Sequence, residues 1–263
     1  MIQYHRGGLR MGEVWFDEEP RQGRVDVITY RQRPEPLGGG GWTPFHTRII
    51  DLRLSEAELR SNVRKQTRQE IRRAGEQDGT VCSHHDGRDE EAFAQLQRFF
   101  DHWAVAQGRP PCDQVWLKAM ADAGRLDIST ARSAKGTLLV CHAHYLGRDR
   151  ARAVCSASLR REDTDPLTHQ IVGRANRLLH WNDMICFRGK GITYYDFAGW
   201  YTGDTDPRLL TINQFKAAFG GEVVCDYNCR LPVSLKGKAA LWLRSLPGQL
   251  ASRQGAANEG AIG

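Results

Sequence analysis

Short apolar runs alternate along this chain with stretches whose apolar residues recur every three or four positions, the first marking strands and the second helices. GEVWF (12–16) and VDVITY (25–30) read as strands, followed by a Pro/Gly segment that ends in four glycines, 38–41. Four consecutive glycines cannot pack a core, so this segment is expected to be a loop. Thr47 to Leu52 reads as the next strand. Ser55-x-x-Glu58 is a capping box, and a single helix is expected from there to about Gln77, with Leu59, Val63, Thr67, Ile71 and Ala74 as its apolar stripe. A second amphipathic helix covers 89–107, is broken at Pro110-Pro111, and is followed by a third from Asp113 to Ala123. Strands are predicted at 126–131, 137–146 and 151–159, the last two joined by a hairpin at 147–150. The pattern then gives a helix over about 174–188, a strand over 192–197 and a short helix carrying Phe215-Lys216. Gly220-Gly221 closes that helix, and a last strand runs to about Leu231. A basic amphipathic helix, 235–246, is expected to dock on the domain or to lie on an anionic membrane surface. Residues 247–263 are small and polar, and disorder is expected there.

Antiparallel strands followed by helix, strand, helix and strand predict an α/β fold. Its central sheet should be mixed but largely antiparallel, with helices on its faces. The predicted units are an N-terminal β extension (1–46), a main domain (47–231) and a basic helix with tail (232–263).

Composition narrows the classes. With 263 residues, 40% apolar and 26% charged, the chain is long enough and apolar enough for a sizeable core. It has no run of 18 apolar residues and no signal-peptide order at its start, so a cytoplasmic protein is expected. The net charge of +6 favours polyanionic partners over about a Debye length. Seven scattered cysteines without a Cys-x-x-Cys pair read as reduced thiols. Cys225 and Cys229 would stand roughly 13 Å apart on a strand, too far to share one ion. His142 and His144 alternate on one strand face but show no third ligand in sequence, so no metal site is predicted.

Two features carry candidate chemistry. Arg60, Arg64, Arg68 and Arg72 repeat at four-residue intervals, joined by Lys65 and Arg73. They form either a solvated basic face or a surface for phosphates. In 191–221, Tyr194, Tyr195, Asp196, Trp200, Tyr201 and Lys216 gather around one strand end and the helix after it, where ligands usually sit in open α/β sheets. Asp196 is either a turn residue or a base made active by burial, and Lys216 either a solvated residue or a holder of phosphate or oxyanion.

The pattern Tyr195-Asp196-Phe197-Ala198-Gly199, then Phe215-Lys216-x-x-Phe219-Gly220-Gly221, resembles the C-terminal signature of the FemABX and related GNAT-type acyltransferases. Two further blocks match in the family's order: Ile50-Asp51-Leu52 with Lys65-x-Thr67-Arg68-x-x-Ile71-Arg72-x-Ala74, and Leu178-Leu179-His180-Trp181. Together they span about 47–230. The resemblance implies a single GNAT-like domain that moves an acetyl or aminoacyl group from acyl-CoA or aminoacyl-tRNA to an amine. The acceptor would be a small molecule, a sugar or a cell-envelope precursor, with tRNA as a partner and no tightly bound cofactor. It implies catalytic roles for Asp196, Lys216 and Tyr195. Arg68, Arg72, Tyr194, Trp200 and Tyr201 would meet substrate. Gln170-x-x-Gly173-x-Ala175 matches the degenerate pyrophosphate loop of GNAT enzymes, with Arg174 and Arg177 beside the phosphate. The rival expectation is a non-catalytic module of the same fold that binds a polyanion through its Arg-rich helix.

Overall fold

The computed structural model describes residues 1–20, 23–159 and 166–245. The predicted disorder of 247–263 lies outside the described residues. Ten strands and seven helices follow in the order β1 (Ile2–Arg6), β2 (Leu9–Trp15), β3 (Val27–Arg33), β4 (Thr43–Asp51), α1 (Glu56–Asn62), α2 (Lys65–Glu76), β5 (Val81–Asp86), α3 (Glu90–Ala106) and α4 (Gln114–Asp122). They continue with β6 (Leu126–Arg132), β7 (Leu138–Leu146), β8 (Arg150–Ser158), α5 (Pro166–Gly189), β9 (Tyr194–Gly199), α6 (Pro207–Ala217), β10 (Glu222–Pro232) and α7 (Leu235–Ser245).

All ten strands join one sheet, ordered β1-β2-β3-β10-β4-β9-β8-β7-β6-β5. Only β2–β3 and β8–β9 pair in parallel, so the sheet is mixed and largely antiparallel as expected. The N-terminal strands continue this sheet through β3 and β10. The parallel pair β8–β9 shapes the sheet at one place. It is in register only from Arg150–Arg152 to Tyr194–Asp196, after which β8 runs on to Ser158 and β9 to Gly199 without pairing to each other. A wedge-shaped gap therefore opens inside the sheet.

Helices cover both faces. On one, α3 and α4 bury Leu96, Leu117 and Met120 against Ile128, Ala143 and Tyr145. On the other, α1, α2 and α5 bury Leu59, Ile71, Trp181 and Met184 against Ile50, Tyr195 and Phe197, joined by Phe215 of α6 and Phe219 just after it. Alternation along β9 puts Tyr195 and Phe197 on this second face and turns Asp196 to the first.

The single helix expected over 56–77 is broken at Val63-Arg64. The capping box at Ser55 and Glu58 forms as read, but the backbone is extended at Val63 (ψ 135°) and Arg64 (ψ 142°). The cause is tertiary. Arg64 N–H donates to Ala218 O at 2.8 Å, and the Arg68 guanidinium takes the end carbonyls of α1, those of Arg60, Ser61 and Val63. Arg68, expected to meet substrate, is thereby committed to holding the break.

Helix α7 docks through Ala240 and Leu241 on Leu9, Met11 and Val27, leaving Trp242 and Leu243 exposed. No helix among the described residues is long and apolar enough to cross a membrane.

Gly220 and Gly221 follow α6 with φ of 86° and 74°. A Cβ on Gly221 would lie 2.1 Å from the Ile49 carbonyl oxygen. Gly221→Ala is therefore expected to lose at least about 1–3 kcal/mol from backbone strain alone. Urea unfolding of the variant checks this, and an unchanged midpoint would contradict the assigned packing.

Candidate functional site

The gap between β8 and β9 leads into a cavity of about 610 Å³. Its walls combine Ser156 and Ser158 of β8, Phe197 of β9, Gly173, Asn176, Arg177 and His180 of α5, and the start of α2. Arg64, Arg109, Arg177, Arg208 and Lys216 line it, against one carboxylate, Glu70, which pairs with Arg177 at 2.7 Å. Burial and the charge of Arg208 pull the Arg109 pKa down, and burial with Arg64 does the same to Arg48. Like charges set this close raise the local positive potential and favour an anionic ligand. The first turn of α2 adds N–H groups, since its N-cap, Arg64, makes no side-chain capping bond.

Lys216 is almost fully buried in the cavity wall. Its Nζ donates to the carbonyls of Ala198 (3.3 Å) and Gly199 (2.5 Å), leaving one N–H unspent. Desolvation lowers its pKa to about 7 against the pull of Asp196. Ala198 itself has φ 59°, a left-handed conformation that a non-glycine residue holds only under constraint. The constraint is visible on both sides: Asp196 Oδ1 accepts from Ala198 N–H at 2.7 Å while Lys216 binds Ala198 O.

Asp196 is fully buried and does not line the cavity. Beyond Ala198 N–H, it accepts from Thr47 Oγ1, from Gln32 Nε2 at 2.8 Å and from Arg150 Nε at 3.0 Å. Arg150 also reaches Asp226 at 2.8 Å. Desolvation raises the Asp196 pKa, but Arg150, Arg152 and these hydrogen bonds outweigh it and hold the carboxyl below its ordinary range. A carboxylate so saturated is a poor base. The expectation that burial makes it one meets the opposite electrostatics.

The pyrophosphate-loop expectation also fails. Gln170, Gly173, Arg174, Ala175 and Arg177 all lie inside α5, which begins at Pro166, so their N–H groups are held within the helix. Arg174 is paired with Asp78 (2.6 and 2.9 Å), and Ala175 is buried. Of this group Gly173 and Arg177 reach the cavity.

The remaining candidates stand off it. Tyr195 is buried, its hydroxyl between His180 Nδ1 (2.7 Å) and His144 Nε2 (3.1 Å), and burial pushes its pKa well up. Tyr194 lies under Arg53, Trp200 under Arg48, and the Tyr201 hydroxyl meets Thr205 at 3.2 Å. Arg72 is an exposed partner of Glu76.

Sequence reasoning gave no role to His180, Asn176, Arg109, Arg208, Ser156 and Ser158. The serines had a signal: they alternate with apolar residues in a strand otherwise made to be buried. His180 sits in the cavity wall with its ring near those of Phe197, Phe215 and Phe219, and burial lowers its pKa. His142 and His144, which lacked a third ligand in the sequence, meet Asp183 of α5. All seven cysteines are free.

No protein-family profile matches this chain, and no curated protein resembles it in sequence. Solved structures do. FemX superposes with a TM-score of 0.58 at 13% identity, covering 83% of this chain and 74% of that one. The C-terminal domain of a putative lysylphosphatidylglycerol synthetase from Agrobacterium fabrum gives 0.55 at 13% identity (85% and 74% covered). L-PGS from Bacillus licheniformis gives 0.54 at 11% (92% and 84%). The chain thus shares its fold with FemX, with this C-terminal domain and with L-PGS.

Proposed function

We propose that the protein is an acyltransferase that moves an acetyl or aminoacyl group from a phosphate-bearing donor, acyl-CoA or aminoacyl-tRNA, to an amine. The observation that carries this reading is the cavity in the β8–β9 gap, with five basic side chains to one carboxylate and Lys216 in its wall. Phosphates of the donor meet Arg64, Arg109, Arg208 and the N–H groups of α2, while the acyl carbonyl reaches Lys216. The amine attacks, a C–N bond forms, and the tetrahedral oxyanion takes the spare N–H of Lys216. The proton the amine gives up passes through His180 of the cavity wall, whose lowered pKa favours handing it on to the departing sulfur or oxygen. The C–S or C–O bond to the donor then breaks, and the thiol or tRNA hydroxyl leaves with a proton. The acceptor is a small molecule, a sugar or a cell-envelope precursor. One structural neighbour is named as a putative lysylphosphatidylglycerol synthetase, which favours the envelope. Peripheral contact with an anionic membrane through the exposed Trp242 and Leu243, beside Lys236 and Lys238, fits the same reading.

Thermal melting with each donor tests it. A true donor at about 100 times its Kd adds about 2.7 kcal/mol to stability. A shift with acyl-CoA that depends weakly on salt identifies the thioester donor. A shift with charged tRNA that collapses with salt identifies the aminoacyl ester. Flat melts with both would remove the acyltransferase reading. Salt-sensitive binding of uncharged and charged tRNA alike, without transfer, would favour the non-catalytic polyanion module.

A further inference from the structure

Behind the cavity wall a second polar cluster lies wholly inside the core, between β7, β5 and α5. Asp183, His142 and His144 have no exposed surface, and one ligand atom from each falls within 4.8 Å of the others. His142 Nδ1 lies 2.8 Å from Asp183 Oδ2, and its Nε2 lies 2.9 Å from Asn176 Oδ1. His84 stands beside them, with Nδ1 2.7 Å from Asp127 Oδ1 and Nε2 3.4 Å from Asp183 Oδ1. His144 Nε2 completes the group, 3.5 Å from Asp183 Oδ2. Among these, His84 Nε2, His144 Nδ1 and Asp183 Oδ1 are buried without any hydrogen-bond partner. Two imidazoles and a carboxylate thus meet inside the core beside buried polar atoms left unsatisfied, an arrangement that a bound cation would complete.

We propose that His142, His144 and Asp183 bind one divalent transition-metal ion of the zinc class. Imidazole nitrogens and a carboxylate are the donor set such ions take, at about 2.0–2.2 Å in tetrahedral sites, which sets ligand atoms roughly 3.4 Å apart. The distances of 2.8 and 3.5 Å to Asp183 need only small adjustments to meet that. The Tyr195 hydroxyl, 3.1 Å from His144 Nε2, is the next oxygen in reach for a fourth position. Asn176 on His142 is the outer partner that fixes ring orientation around such centres, and His84 stands 3.4 Å from the other oxygen of Asp183. Since no ligand is exposed, the ion enters during folding, and its role is to clamp α5 onto β7 behind the donor cavity. The site does not depend on the acyltransfer reading.

The test is metal content and stability of the full chain, with no activity readout. Protein purified without chelator should retain about one zinc per chain after dialysis. Wild type unfolded and refolded with Zn²⁺ should melt several degrees above the same protein refolded with a chelator, or should refold only with the metal. Cobalt substitution should give visible tetrahedral bands. Asp183→Asn and His144→Gln should each lower the stoichiometry by one, which separates this site from adventitious binding at exposed histidines and Cys225. Folded wild type without bound metal, melting identically after refolding with zinc or chelator, would overturn the proposal. So would a stoichiometry unchanged in both variants.

Discussion

Asp196→Ala is expected to destabilise the protein by about 3–5 kcal/mol, the usual loss when one partner of a buried charge network is removed. The variant would leave Arg150 facing Asp226 alone and strand the donors Gln32 Nε2, Thr47 Oγ1 and Ala198 N–H. Asp196→Asn should lose less, because the amide oxygen still accepts but the charge opposite Arg150 is gone. Activity should fall in both only as far as the kink at Ala198 relaxes and shifts Lys216. Urea unfolding beside a turnover assay separates the roles. Wild-type stability with a hundredfold or greater loss of turnover in Asp196→Asn would restore the base assignment. The pH dependence carries a sign as well. Asp196, held low, contributes stability that is present above its unfolded pKa near 4 and is lost as pH falls through its folded value. Asp226, pushed up mainly by desolvation, works the other way: its contribution is present below the unfolded pKa and fades as pH rises through the folded one. The two therefore act in separate windows: stability due to Asp226 falls as pH rises above about 4, and the acid loss due to Asp196 lies below it.

The elements that repeat a period were readable because burial of one face is a local property of the sequence. The hairpin at 147–150, the capping box at Ser55 and the helices α3 and α4 follow from such patterns. What failed depended on partners distant in the chain. Val63-Arg64 contains no glycine or proline, and the same apolar stripe serves both α1 and α2. Only the Ala218 carbonyl and the reach of Arg68 end the first helix. The hexad at 170–175 has the spacing of a phosphate loop, yet α5 has already begun four residues before Gln170, where Gly173 is tolerated as a helical residue. Asp196 was found as a singular residue of β9, but its face follows from register with β4 and β8 and its role from Gln32 and Arg150. The basic cavity was illegible for the same reason. Arg64, Arg109, Arg177 and Arg208 come from four separate segments, and only the wedge between β8 and β9 brings them together.

Lys216→Met should produce an enzyme that is more stable and nearly inactive. Methionine keeps the apolar stem and the volume while removing a cation that desolvation disfavours so strongly that its pKa falls to about 7. Replacing buried ionic groups with apolar ones of similar volume stabilises by about 1–4 kcal/mol, and the two hydrogen bonds lost to Ala198 and Gly199 lower that gain. The folded state binds fewer protons than the unfolded chain between pH 7 and the free lysine value near 10.4, so wild-type stability rises with pH across that window. The advantage of the variant should therefore be largest at or below neutral pH and shrink toward pH 10. Turnover moves independently. If the spare N–H meets the oxyanion, kcat drops about 10²–10³-fold with KM little changed, as when an oxyanion donor is removed. Because the working form is the cation, wild-type kcat should decline as pH rises through about 7, and the residual activity of the variant should lack that limb. A raised donor KM with kcat intact would move Lys216 to a donor phosphate. A wild-type rate that increases through pH 7 would make the neutral amine the working form, and Lys216 rather than His180 the base.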